Sequence, residues 1–145
     1  MREPFPGEPV VLLVAARQRS VRLMLSAPQR PWQDAVLDYL VSITGEGLEA
    51  EAVVTSLEGD SLDAYFSDLA ERFRGWEGVR EWRSLEGQLR IVAKWSSRGH
   101  VTLRVHLRST HHRDVWETSA EFDVEAGAEM DALSTEVAQF FAASR

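Results

Sequence analysis

Four histidines are the side chains from which a transition-metal site would start, because without a single cysteine every thiolate ligand is excluded. His111 and His112 stand side by side before Arg113 and Asp114, and His106 lies on the strand leading to them. A zinc or iron centre needs three or four ligands converging at about 2 Å, with further partners holding them. Neighbouring side chains in a polar hairpin loop diverge, so no metal and no cofactor is expected here. His100 follows Gly99 at the start of a strand and reads as a hydrogen-bonded turn residue. The carboxylates do no better, since Glu49 and Glu51 alternate as on a wetted strand face, with no apolar pocket to raise a pKa. Gly-x-Ser-x-Gly elbows, His-Glu-x-x-His helices and phosphate-binding glycine loops are all missing from the sequence. No catalytic residue is assigned, and catalysis would require a constellation that only folding brings together.

The densest run of unusual residues is Arg74-Gly75-Trp76-Glu77-Gly78, followed by Trp82 and then Ser84-Leu85-Glu86-Gly87. Tryptophan serves where a large apolar body must also present an N–H. Trp76 and Trp82, with Arg80 and Arg83, are therefore a candidate binding rim. The alternative is that the two rings plug the open end of a sheet as core material.

Elements that would position these residues follow from hydrophobic rhythm. Residues 1–9, rich in Pro, Gly and Glu, read as an extended arm. Strands are predicted over 10–16 (apolar on both faces), 21–25, 36–43 and 48–57, with 26–31 as a turn that no regular element traverses. From residue 60 the apolar period lengthens: Leu62, Tyr65, Phe66, Leu69 and Phe73 predict a helix that Asp60 or Ser61 caps and Gly75 stops. Strands follow over 89–95, 101–107 and 116–124, and Met130, Leu133, Val137, Phe140 and Phe141 mark a terminal amphipathic helix.

The halves match at an offset of about 68 residues, which sets Arg22 on Arg90, Glu49 on Glu117, Asp63 on Asp131 and Phe73 on Phe141. The expected architecture is one α+β domain spanning 1–145, with pseudo-repeats at about 21–75 and 89–143. It is a two-layer fold in which an antiparallel sheet of six or seven strands carries two helices on one face, built as a tandem βββα duplication.

That sheet sends Arg104, His106 and Arg108 outward beside Glu117, Glu121 and Asp123 of the next strand, a self-supporting pairing of opposite charges. In the first half the same register turns Met24, Val36, Leu40 and Val53 outward, an apolar strip of the kind that marks an interaction surface. Either a partner covers this strip or the N-terminal arm folds back on it with Phe5.

Residues Phe66, Trp76, Trp82, Leu85-Glu86-Gly87 and Gly99-His100-Val101, with the strand and helix that follow, resemble a family of small uncharacterised bacterial proteins. That family, common in actinobacteria, is classed as a domain of unknown function. The resemblance covers roughly the C-terminal half, and the N-terminal half matches in general pattern. It implies the α+β fold and a cytoplasmic habit, and it transfers no activity.

A net charge of −7 argues against nucleic acid, whose backbone demands clustered Lys and Arg, and the longest early apolar run is too short to span a bilayer. What precedes that run lacks the cationic start of a secretory signal, so the cytoplasm is expected. The reading that remains is a non-catalytic protein-binding module, with an immunity-type inhibitor as one form of it and, as another, a homodimer through the first-half strip with Val36 and Leu40 or through the exposed edge of a terminal strand. The alternative is a small-molecule-binding protein or enzyme using a cleft between sheet and helices, lined by Tyr39, Tyr65 and Trp95 or Trp116.

Overall fold

A computed structural model describes residues 8–15, 20–30, 36–57, 62–109 and 115–143. Its first half contains β1 (Val11–Val14), β2 (Arg22–Gln29), β3 (Leu37–Gly45), β4 (Leu48–Ser56) and α1 (Leu62–Glu71). The second contains β5 (Val79–Arg83), β6 (Leu89–Trp95), β7 (His100–Arg108), β8 (Glu117–Glu125) and α2 (Ala128–Ala143). The fold is α+β and antiparallel, but its strands form two four-stranded meanders, β1-β2-β3-β4 and β5-β6-β7-β8, where a single sheet of six or seven strands was expected.

The additional strand is β5. Its sequence Val-Arg-Glu-Trp-Arg alternates exposed and half-buried residues, so only Arg80 and Trp82 turn inward. With three charges in five residues and one neighbouring strand, it lacks the apolar rhythm that marks an interior strand. Four strands and a helix thus occur twice in the same order, and Val11–Val14, within the stretch expected as an addition at the front, supply the first strand of the first set.

The expected turn at 26–31 is corrected as well. β2 runs through Pro28 to Gln29, with a register shift between Ser26 and Gln29 where Ala27 has φ 50°. Proline is tolerated here because β1 pairs only with Arg22 to Leu25, leaving the far end of β2 without a second neighbour among the described residues.

One apolar interior joins both sheets and both helices. Alternate residues of β2, β3 and β4, such as Leu23, Val41 and Val54, meet Leu103, Val105 and Phe122 from the second sheet there, with Phe66 of α1 and Phe140 of α2. Tyr39 of β3 is fully buried and lies edge-on to Phe140 and Phe141, at centroid distances of 5.9 and 5.5 Å. The helices pack on each other. α1 also reaches across to the second half, where the Tyr65 hydroxyl donates to the carbonyl of Arg80 in β5 at 2.9 Å. Asp68, one turn further along, accepts from Arg80 Nε and Nη2 at 3.0 and 2.8 Å.

α1 ends at Glu71, short of the expected stop, which leaves Phe73 beyond it and 55% exposed; Gly75, with a φ of 102° open to glycine, closes the turn that follows, its N–H donating to the Arg72 carbonyl at 2.9 Å. The capping role expected of Asp60 or Ser61, and the arm 1–9 up to residue 7, lie outside the described residues. α2 begins with the Glu125 carboxylate accepting from the Ala128 N–H at 3.3 Å. Among the described residues, no helix is long and apolar enough to cross a membrane.

Candidate functional site

The residues expected to form one binding rim are separated by the pleat of β5. Trp82 pairs with Ile91 and packs against the core, and Arg80, on the same inward face, is held by Asp68 of α1. Arg83 stands on the opposite face, paired with Arg90 and 64% exposed. Trp76 tilts against Trp95 with ring centroids 5.9 Å apart, and its buried indole N–H has no partner among the described residues. The tryptophans therefore help close the interior, and of the four residues Arg83 is the most exposed, while half-buried Arg80 is tied to Asp68.

The aromatic cleft fares similarly. Tyr39 is packed between the rings of α2, and the Tyr65 hydroxyl is committed to the Arg80 carbonyl. Burial raises the Tyr65 pKa far above that of a free phenol, so this side chain stays a neutral donor. His111 and His112 lie outside the described residues, and among those described no group of three or more His, Asp or Glu is placed to hold a metal ion.

What remains is the outward face of each sheet, and the two differ in character. On the first sheet, cross-strand register puts Leu12 beside Met24, and Leu40 between Ser26 and Val53. Leu12, Val14 and Val53 are 45%, 39% and 46% exposed. Leu40 and Val36 are half-buried, while Met24, expected to face solvent, is buried between Leu12 of β1 and Ser42 of β3. Glu49 and Glu51 continue this face along β4 beyond Val53.

The second sheet is charged on the same side. Arg104 pairs with Glu121 and bonds to its carboxylate, Arg108 pairs with Glu117, and Thr102 donates to Asp123 at 2.9 Å. Arg90, opposite His106 on β6, donates to Glu81 of β5 at 2.9 Å. Partial burial and the neighbouring cations Arg90 and Arg104 push the His106 pKa down, against the opposing pull of Glu117 and Glu81. A small recess of about 190 Å³ opens beside it, lined by Arg83, Gly87, Gln88, Arg90, His106, Leu107, Arg108 and Glu117. Sequence reasoning missed Arg90, Gln88 and the part Arg83 plays here, because only β5 brings Arg83 to this face. A wider open groove of about 1080 Å³ runs past the β3–β4 turn at Glu46 to Ser119, Glu121 and Asp123 of β8. Its carboxylates Glu121 and Asp123 are already engaged by Arg104 and Thr102.

In comparison with known proteins, residues 14–144, which include elements of both halves, match DUF6228, a family of unknown function. No curated protein and no solved structure matches the chain.

Proposed function

Because this chain belongs to the DUF6228 family, which brings no activity with it, we propose from its own surfaces that it acts without catalysis, by binding another protein through the outward face of the first sheet. The observation that carries this reading is that Leu12 and Val14 of β1, and Val53 of β4 beside Leu40, are exposed on this face, on either side of buried Met24, Ser26 and Ser42. Exposed large apolar side chains cost solvation free energy unless a partner covers them. The face is bordered by Glu51 on a chain of net charge −7, so the partner that fits is a protein with an apolar patch flanked by Lys or Arg. A second copy would bring like charges together. An immunity-type inhibitor of a basic protein is one form of this reading, supported by the small size and acidic charge. The absence of cysteine suits a reducing cytoplasm. The recurrence of four strands and a helix supports descent by tandem duplication.

Incorporating a photo-crosslinking amino acid at Val53 in native cells tests the proposal, with Lys94 on the second sheet as the control position. The expected result is an adduct with another protein at Val53 only. After that protein is purified, Leu12→Lys should weaken its binding by at least about tenfold, the loss of roughly one buried leucine contact. Adducts between copies of this chain, or equal adducts at both positions, would overturn it.

A further inference from the structure

We propose that the recess on the outward face of the second sheet binds a small phosphomonoester that carries a hydroxyl group near its phosphate. Three guanidinium groups, Arg83, Arg90 and Arg108, line it with one carboxylate, Glu117; Arg90 is held by Glu81 at 2.9 Å, which leaves Arg83 and Arg108 as the cations that no carboxylate among the described residues holds at hydrogen-bond distance. Arginine matches the oxygens of a phosphate with paired N–H donors.

The construction of the recess separates it from an ordinary solvated strand face. Arg108 is held by main-chain carbonyls, with Nε donating to Gly87 at 3.0 Å and Nη2 to Glu86 at 2.8 Å, so its orientation is fixed without using up its charge on a carboxylate. The close approach depends on Gly87, where an added Cβ would lie 2.9 Å from Arg108 Nη2. Arg83, on the facing strand, has its nearest carboxylate contact at 3.9 Å with Glu81. Gln88 adds a second kind of recognition. It is 6% exposed, its Nε2 donates to Glu86 at 3.2 Å, and its buried Oε1 has no donor among the described residues. A desolvated acceptor next to a cationic hollow calls for a ligand that brings a donor as well as an anion.

Electrostatics around His106 agree with this geometry. It faces Arg90 from β6, Arg104 and Arg108 from its own strand, Glu117 and Glu121 from β8, and Glu81 and Arg83 from β5. The balance among these groups and burial disfavours its protonation, and a bound phosphate would reverse that. The volume of about 190 Å³ suits one phosphate and a few carbons. A nucleic-acid backbone would instead run past Glu81, Glu117 and Glu121, which repel it.

Isothermal titration of the full chain at low ionic strength with glycerol 3-phosphate, inorganic phosphate and glycerol tests the proposal. Saturable one-site binding is expected for glycerol 3-phosphate, weaker binding for inorganic phosphate and none for glycerol. Arg83→Gln, at an exposed position, and Arg108→Gln should each weaken glycerol 3-phosphate by at least about tenfold. Gln88→Met should remove its advantage over inorganic phosphate. An NMR titration should show the His106 pKa rising when glycerol 3-phosphate is bound. Absence of saturable binding, indifference to both arginine variants, or equal affinity for inorganic phosphate would each overturn the assignment.

Discussion

Gly75→Ala should destabilise the protein more than a glycine substitution in a turn ordinarily does, because two costs coincide at one atom. The φ of 102° is the first, and holding an L-residue in a left-handed conformation costs about 1–2 kcal/mol. Contact with Trp95 is the second, since an added Cβ would lie 2.5 Å from its Cε2 and 2.6 Å from its Nε1. Trp95 is itself packed against Trp76, so its ring cannot swing away freely. Overpacking of this kind costs about 1–3 kcal/mol, and the sum is about 2–5 kcal/mol. For a domain of this size that corresponds to a fall in Tm of about 6–15 °C. Gly78→Ala is the internal control, having φ 72° and no atom within 4 Å of an added Cβ, so it should show the backbone cost alone. Urea unfolding followed by far-UV circular dichroism measures both. In a Trp95→Leu background the excess cost of Gly75→Ala should largely disappear, since the two changes touch the same space. A Gly75→Ala variant no less stable than Gly78→Ala would refute the reasoning.

Two further outcomes follow from individual side-chain contacts. Tyr65→Phe removes the hydroxyl that donates to the Arg80 carbonyl and should cost about 1 kcal/mol in urea unfolding; an unchanged midpoint would mean that bond does not tie α1 to β5. His106 has a folded-state pKa below its ordinary 6.5, so as pH falls through about 6.5 the unfolded chain takes up the proton more readily and the fold loses stability. His106→Gln should therefore gain stability relative to the wild type between pH 7.5 and pH 5, and a constant difference across that range would rule out the linkage.

Local rhythm was enough to place much of the fold. β6 coincides with its predicted bounds, and α1, β7, β8 and α2 lie within two residues of theirs, because each pairs a clean apolar period with a solvated opposite face. The same alternation turned Arg104, His106 and Arg108 outward beside Glu117, Glu121 and Asp123 of the next strand, and the register of β7 on β8 fixes the pairs. β5 escaped because it is short and its inward residues are Arg80 and Trp82, one of them charged and satisfied only by Asp68 of a helix earlier in the chain. Pro28 masked the end of β2, since a bulge at an unpaired edge leaves no trace in periodicity. The division into two sheets was equally out of reach, because alternation within a strand says which side is buried and nothing about which strand lies alongside. The cationic recess went unseen for the same reason, as Arg83 joins Arg90 and His106 only through the pairing of β5 with β6.

α1 is fastened to β5 of the following half, while Phe140 and Phe141 of α2 close over Tyr39 of the preceding one. Each helix thus also holds on to the sibling half, α2 while packing on β8 of its own. A polypeptide cut between the halves would strip apolar cover from both pieces, and melting should run as one event because a single interior joins the two.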